Sequence, residues 1–283
     1  MAIAVGLMIA VVVLLGAALL FYQGRQRPAM GAEYVALGSS FAAGLGLGAR
    51  APGSPIVCQR SVNGYPQQLA RMTGLGLTDM SCSGATASHV LRGGQMFLGP
   101  QIDALGPGTR MVTLTAGGND VSYVGDLTAM AFRRRGGLTG ILAGFFWKGA
   151  RPLADRKFDA LKADLLATLR EVRRRAPKAR IFVVTYPSIL PLKGTCPRLG
   201  IDEDEAALMR QVAARLADVT REAAQEGGAT IVDMDQLSAG HDACAPLAWV
   251  NGAAPEAGAP FHPTMAGARA TAERIKLAFE PAG

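Results

Sequence analysis

The 283-residue sequence has few aromatic and few charged residues: 6% of its residues are aromatic and 18% are charged. A nucleic-acid-binding surface would require basic residues repeated along one face, with aromatic residues between them. The formal net charge of +7 is moderate, and it includes the arginine cluster Arg133-Arg134-Arg135. Such a cluster is more typical of a solvated surface, or of a loop near anionic lipid headgroups. We therefore expect no nucleic-acid partner.

No charged side chain occurs between Ala2 and Tyr22, and this stretch is rich in Ala, Val, Leu and Ile. It reaches the roughly 20 apolar residues that a transmembrane helix needs, whereas the apolar region of a cleaved signal peptide normally has about 7–15. Ala29-Met30-Gly31 would be a passable cleavage site, so a cleaved signal is the alternative. Arg25 and Arg27 follow the stretch, and the positive-inside rule would place them in the cytoplasm.

The domain organisation follows from this segment and from the chain length. Hydrophobic residues make up 49% of the sequence, which excludes a disordered composition. A single core of this size is ordinary. We predict a transmembrane signal anchor and linker in residues 1–32, and one domain in residues 33–283. The anchor would attach that domain to the membrane on its extracytoplasmic side, and the cleaved alternative would make the protein secreted.

No Cys-x-x-Cys pair is present, which argues against a zinc site or a thioredoxin-type site. The four cysteines are instead spread along the chain, at Cys58, Cys82, Cys196 and Cys244. An even number behind an export signal fits two disulfides in an oxidising compartment. Three pairings are possible, of which we favour Cys58–Cys82 and Cys196–Cys244. Four reduced, buried thiols are the alternative.

Short, continuously apolar segments alternate with amphipathic helical patterns along residues 33–279. Such an alternation indicates a mostly parallel sheet that is covered by helices on both faces, a three-layer, doubly wound α/β fold. In these folds, chemistry gathers beyond the carboxyl ends of the strands. The predicted strands end near Leu37, Thr115, Thr185 and Asp233.

Four segments at or near these ends contain residues that could take part in chemistry. Gly38-Ser39-Ser40 follows the first strand, and a serine on a tight strand-to-helix turn is exposed for reaction. The nearby Gly44-x-Gly46-x-Gly48 lacks the spacing of a dinucleotide-binding turn. The other segments contain Gly84 in Ser81–Thr86, the turn Gly117-Gly118-Asn119-Asp120, and His262-Pro263 before the last helix.

Together, and in this order, the four segments resemble the conserved blocks of the SGNH (GDSL-type) hydrolase family. The family's Gly-Asp-Ser block appears as Gly38-Ser39-Ser40, and its Gly-x-Asn-Asp block as Gly117-Gly118-Asn119-Asp120. The glycine of its second block matches Gly84, and its final His-Pro matches His262-Pro263. Residues 82–86 and 240–244 further resemble disulfide-bonded secreted bacterial esterases and lipases of the family, whose fold is flavodoxin-like.

The resemblance implies hydrolysis of acyl esters without a metal or another cofactor. Ser40 would be the nucleophile and His262 its general base. The oxyanion would be held by the main-chain N–H groups of Ser40 and Gly84 and by the side-chain amide of Asn119. Carboxylic acyl esters are the expected substrates, with lipid esters as one candidate class. Acetyl groups on a cell-envelope carbohydrate, or an inactive binding domain of the same fold, are the alternatives.

Two positions depart from the family pattern. Ser39 replaces the aspartate that precedes the nucleophile. Ala259 stands three residues before the histidine, where the family usually has an aspartate that orients the imidazole. We therefore predict a Ser40–His262 dyad in which the main-chain carbonyl of Ala259 orients the histidine. A remote carboxylate, such as Glu256, is the alternative orienter.

An insertion between Tyr123 and Asp155 contains the apolar stretch from Leu138 to Trp147, next to the arginine cluster. Trp and Arg are well suited to a membrane interface. The stretch could therefore form a lid or acyl-chain platform. A short buried helix that completes the core is the equal alternative.

Overall fold

The computed structural model describes residues 2–137, 140, 141, 144 and 147–280. Five strands form one parallel sheet with the spatial order β2-β1-β3-β4-β5. In chain order they are β1 (Tyr34–Gly38), β2 (Leu77–Asp79), β3 (Met111–Thr115), β4 (Arg180–Val184) and β5 (Thr230–Val232). This order confirms the predicted doubly wound α/β fold.

Helices lie before, between and after the strands. In the described residues, the α-helices include α1 (Ala2–Gly24), α2 (Ser40–Ala43), α3 (Tyr65–Thr73), α4 (Ala87–Arg92), α5 (Tyr123–Arg135), α6 (Phe158–Arg175), α7 (Glu203–Glu226), α8 (Met234–Leu237) and α9 (Met265–Phe279). Short 3-10 helices occur at Ile56–Cys58, Gln95–Phe97, Gln101–Ala104 and Leu153–Asp155.

Helices cover both faces of the sheet because the central strands present apolar side chains on each face. Val35 and Leu37 of β1 point into one core, which they share with residues of α4, α5, α6 and α7. Tyr34 and Ala36, their neighbours along the strand, point into a second core shared with α3 and α9. Successive side chains of a strand face opposite sides, so this division produces the three layers.

The four predicted strand ends lie within one residue of the observed ends, which are Gly38, Thr115, Val184 and Val232. Capping residues mark where two of the long helices begin. The capping box of Asp202 and Glu205 begins α7, and the Thr264 side chain accepts the Gly267 N–H to begin α9. The edge strand β2 was not predicted. It has only three residues, and all three are partly exposed, so it lacks the apolar run that identified the other strands.

Both predicted disulfides are confirmed: Cys58 is bonded to Cys82, and Cys196 to Cys244. The first ties the 3-10 helix at Ile56–Cys58 to the loop that follows β2. The second ties the loop that follows β4 to the chain beyond β5. Both crosslinks therefore fasten loops near the carboxyl edge of the sheet.

The apolar N-terminal segment forms α1. Its Leu7–Gly24 window has a mean hydropathy of 2.3, and none of it is buried in the domain. The helix is therefore long and apolar enough to cross a membrane, as would also be true of a signal sequence.

The predicted insertion divides into a described and an undescribed part. Helix α5 buries Tyr123, Leu127 and Met130 in the core. The Trp147 Nε1–H donates to Asp126 at 2.9 Å, and the carboxylate of Asp126 also accepts from the buried Arg156 at 2.7 Å. Residues 138, 139, 142, 143, 145 and 146 lie outside the described residues, so the lid prediction is untested there.

Candidate active site

Ser40 occupies the first position of α2, directly beyond the carboxyl end of β1. The turn between them requires Gly38, which has a φ of 142°. A Cβ atom at this glycine would lie 2.3 Å from the carbonyl oxygen of Thr115, on the adjacent β3. The Ser39 N–H donates to the same oxygen at 2.9 Å. The close approach of two strand ends thus fixes where Ser40 begins its helix.

The Ser40 hydroxyl and the His262 imidazole lie within hydrogen-bonding distance, with 2.8 Å between Oγ and Nε2. They are 222 positions apart in the sequence. Both side chains are nearly enclosed, with exposures of 7% and 8%. The structure thus brings together the two residues expected to form the dyad.

The opposite ring nitrogen of His262 contacts a main-chain carbonyl, but not the predicted one. Nδ1 lies 2.7 Å from the carbonyl oxygen of Pro260. The prediction of Ala259 is wrong by one residue, because Phe261 adopts a left-handed φ of 57°, which turns the Pro260 carbonyl toward the ring. The Ala259 carbonyl instead accepts the His262 main-chain N–H at 3.3 Å. Glu256 is exposed to solvent and does not occupy the Nδ1 position.

This geometry selects one tautomer of the histidine. A carbonyl oxygen can only accept, so Nδ1 carries the proton and Nε2 is free to accept the Ser40 hydroxyl proton. Burial lowers the pKa of His262 below its usual 6.5, and the hydrogen bond to Pro260 partly opposes this effect. The ring is therefore neutral near pH 7, the state required of a general base.

The expected oxyanion donors belong to one hydrogen-bonded group of loops. The Cys82 N–H donates at 3.0 Å to the carbonyl of Gly38, two residues before Ser40. The side-chain amide of Asn119 donates at 2.8 Å to the carbonyl of Ala85, the residue after Gly84. One further N–H of that amide remains for another acceptor. The Ser40 N–H lies in the first turn of α2, where a helix supplies no acceptor.

Asp120 makes a second contact with the loop that follows Gly84. Both of its carboxylate oxygens accept the N–H of Ala87, at 3.1 and 3.0 Å. Burial raises its pKa to about 6, while the bond from Ala87 acts in the opposite direction. Asn119 and Asp120, consecutive residues beyond β3, thus position residues 85–87 by two separate contacts.

Tyr186 was not among the predicted site residues, although it follows the predicted strand ending at Thr185. Its hydroxyl accepts the Gly118 N–H at 3.1 Å and is hydrogen-bonded to the Ser39 hydroxyl at 3.0 Å. Burial raises its pKa to about 12, so it remains a neutral phenol. Ser39, in the position of the family's aspartate, is therefore part of an uncharged hydrogen-bonded link between β1, β3 and β4.

Gln101 was also missed, because nothing near it in the sequence marks it. Its buried side-chain amide is hydrogen-bonded to both main-chain polar groups of Gly38. Oε1 accepts the Gly38 N–H at 2.7 Å, and Nε2 donates to the Gly38 carbonyl at 3.0 Å. Gln101 therefore stabilises the main chain from which Ser40 departs.

The loop after α2 lies against the loop before His262. A Cβ atom at Gly46, whose φ is 82°, would lie 2.5 Å from the Ala259 N and 2.7 Å from the Gly258 carbonyl carbon. The Phe41 ring lies between the rings of Tyr186 and His262, with centroid distances of 4.6 and 5.1 Å. These contacts fix the histidine loop relative to Ser40.

Among the described residues, no group of three or more His, Cys, Asp and Glu side chains is placed to hold a metal ion. The chemistry available from the described geometry is thus a neutral histidine hydrogen-bonded to a serine, with main-chain and amide donors nearby. That combination can activate a hydroxyl nucleophile and stabilise an oxyanion.

Comparisons with known proteins agree with this chemistry. The family model described as GDSL-like lipase/acylhydrolase matches residues 36–270. Lipase 2 of Streptomyces coelicolor is 39% identical over 224 residues, which cover 75% of this chain and 72% of that protein. The crystal structure of phospholipase A1 from Streptomyces albidoflavus has a TM-score of 0.68 and 27% identity, covering 88% of this chain and 98% of its own.

An extracellular lipase from Streptomyces rimosus is similar to a comparable degree, with a TM-score of 0.67 and 27% identity over 87% of this chain and 97% of its own. The family match spans well over half of the sequence and includes all four blocks, and it confirms the resemblance inferred from them. The chain therefore belongs to the GDSL-like lipase/acylhydrolase family and is a carboxylic-ester hydrolase.

Proposed function

We propose that the protein hydrolyses lipid acyl esters at the Ser40–His262 dyad. The observation that carries the proposal is the 2.8 Å contact between Ser40 Oγ and a buried His262 Nε2. His262 takes the hydroxyl proton as Ser40 Oγ attacks the acyl carbonyl carbon. The imidazolium that forms keeps its Nδ1–H bond to the Pro260 carbonyl. It then gives its Nε2 proton to the departing alcohol, which leaves an acyl-serine.

Water completes the reaction by the same route. His262 removes a proton from the attacking water, the carbonyl carbon passes through a second tetrahedral state, and Ser40 leaves with the proton returned. In both tetrahedral states, the oxyanion is held by the N–H groups of Ser40 and Gly84 and by the Asn119 side chain. Removal of one such donor typically costs about 10²–10³ in rate, so Asn119→Ala should lower kcat by about that factor.

A lipid ester is the substrate that the chain as a whole favours. Helix α1 is apolar and exposed, which suits a protein that works at a bilayer. The similar proteins described above are named as lipases and a phospholipase A1. We propose that α1 anchors the domain in the membrane. The two disulfides fit an oxidising, extracytoplasmic location.

The test uses the full chain against p-nitrophenyl esters of increasing acyl length. We expect turnover to rise from acetate toward medium and long chains, and to fall by about 10³-fold or more in Ser40→Ala and in His262→Ala. Ser88→Ala and His241→Ala are matched controls away from the dyad, and both should keep activity. A preference for acetate would favour carbohydrate deacetylation, and unchanged turnover in Ser40→Ala would contradict the nucleophile assignment.

A further inference from the structure

Three large apolar side chains stand exposed where α1 meets the domain. Ile56 is 40% exposed, Met96 56% and Phe97 59%. They lie on two separate 3-10 helices, at Ile56–Cys58 and Gln95–Phe97. We call these three residues the apolar rim.

The apolar rim is continuous with the end of α1. The rings of Phe21 and Phe97 meet edge to face, with centroids 5.9 Å apart. The Ile56 N–H donates to the side chain of Gln23 at 3.0 Å. A Cβ atom at Gly24 would lie 2.4 Å from the Phe97 carbonyl oxygen. The rim therefore lies at the level where α1 ends and the polar linker begins.

The backbone of the apolar rim adopts a costly conformation that leaves its side chains exposed. Met96 and Phe97 have φ values of 45° and 67°, in the left-handed region that is unfavourable for a non-glycine residue. Packing in the domain does not offset that cost, because both side chains are more than half exposed. Contact with a bilayer interface would offset it, since aromatic and apolar side chains are stabilised there.

Basic residues beside the apolar rim fit the same environment. The Arg25 guanidinium lies 5.2 Å from the centroid of the Phe21 ring, and Arg27 follows in the linker. An apolar group with cations at its edge matches the acyl boundary and the anionic headgroups of a bilayer interface.

We propose that the apolar rim inserts into the bilayer interface beside α1, and that this contact positions the loop that supplies the Gly84 donor. The proposal rests on the membrane anchor and the oxyanion donor proposed above. Gln95, next to Met96, donates its side-chain amide to the Ser83 carbonyl at 2.7 Å. On the other side, Ile56 begins the 3-10 helix that ends at Cys58, which is bonded to Cys82. Met96 is one residue from Gln95, and Ile56 is two residues from Cys58. Each part of the rim is therefore close to a residue that is bonded to the loop containing Gly84.

The insertion is measured on the full chain reconstituted in phosphatidylcholine–phosphatidylglycerol vesicles. The native cysteines are all in disulfides, so Met96→Cys can be labelled with an environment-sensitive fluorophore. The control is Leu247→Cys, at a site that is 76% exposed. We expect doxyl-labelled lipids to quench the label at 96 but not the label at 247. Equal quenching by aqueous iodide at both sites would overturn the proposal.

The functional consequence is measured with Met96→Asn/Phe97→Asn. Asparagine tolerates the left-handed region, so this variant removes the apolar groups and keeps the turn. We expect a loss of at least about tenfold on a long-chain ester embedded in vesicles, as expected for lost apolar burial. Hydrolysis of soluble p-nitrophenyl butyrate should change by less than about twofold, since the turn and the dyad are retained. Leu192→Asn/Leu247→Asn is the matched control.

The outcomes separate this proposal from its alternatives. Equal losses on both substrates would indicate a purely structural role, and a dimer that the asparagine variant abolishes would indicate a second copy as the partner. Either result overturns the proposal. If the wild-type chain hydrolyses no ester, the proposed function fails, but the quenching measurement still decides whether the rim enters the bilayer.

Discussion

The Nδ1 atom of His262 lies 2.7 Å from the main-chain carbonyl oxygen of Pro260. A neutral dipole thus occupies the place in which an aspartate commonly orients a catalytic histidine. Such a dipole fixes the ring and its tautomer, but it stabilises the imidazolium less than a carboxylate does.

The pH dependence of kcat/KM should have an acid limb with a midpoint below 6.5. Only neutral His262 can accept the Ser40 proton, and burial holds the pKa of the imidazole below its usual value. Activity should therefore fall as the pH decreases through that lowered pKa, and the plateau should extend to more acidic pH. An acid limb above 6.5 would indicate that a carboxylate contacts the histidine.

Ala259→Asp should move this acid limb to higher pH. The new carboxylate would stand three residues before His262, and an opposite charge near an imidazolium raises the pKa of the imidazole. The measurement is the pH profile of kcat/KM on a soluble ester, with Ala257→Asp as the control in the same loop. An unchanged limb would mean that Nδ1 keeps its bond to Pro260.

Asp120 should make the folded state less stable as the pH rises from about 4 to about 6. Burial raises the pKa of its carboxyl group to about 6 in the folded protein, against an ordinary value of 3.8. Over this range the folded state binds more protons than the unfolded state, so the stabilisation is complete below the lower value and is lost through the upper one. Asp120→Asn should flatten the pH dependence of the urea midpoint. Exposed Asp159→Asn should leave it unchanged, and a slope retained in Asp120→Asn would refute the assignment.

The two disulfides should differ in what their removal affects. Cys196–Cys244 closes a loop of 48 positions and Cys58–Cys82 one of 24. The chain-entropy model makes the longer loop the more stabilising by about 0.6 kcal/mol. The shorter loop contains the Cys58 carbonyl that accepts the Ser83 N–H, next to Gly84. Cys58→Ser/Cys82→Ser should therefore lose more activity, and Cys196→Ser/Cys244→Ser more stability. Urea unfolding and esterase assays measure the two effects, and the reverse ranking of activities would contradict the role given to this loop.

Gln101→Leu should lower both stability and kcat. The substitution leaves the buried Gly38 N–H without the side-chain acceptor it now has, which costs about 1–3 kcal/mol. It also loosens the main chain two residues before Ser40. Exposed Gln211→Leu is the control for urea unfolding and kcat. A variant of Gln101 with normal kcat would show that Ser40 is positioned without it.

Local sequence patterns predicted the sheet, whereas the dyad was predicted from the resemblance of four segments to the family's blocks. Apolar runs mark the central strands, and residues just beyond the carboxyl ends of parallel strands meet at one edge, which placed Ser40 and Asn119. That rule could also have found Tyr186, which directly follows Thr185.

Gln101 could not be predicted, because it contacts Gly38 across 63 positions and belongs to no motif. The orienting carbonyl was misplaced because the φ of 57° at Phe261 is rare for an aromatic residue. The division at residue 32 stays a prediction.

The contact of Gly46 with Gly258 and Ala259 has a consequence for engineering the substrate range. A Cβ atom at Gly46, in the loop after the Ser40 helix, would lie only 2.5 Å from the Ala259 N in the loop before His262. Any side chain introduced there would push the two loops apart and lengthen the 2.8 Å proton path. Variant libraries intended to reshape the proposed acyl site should therefore leave position 46 unchanged and diversify other positions instead.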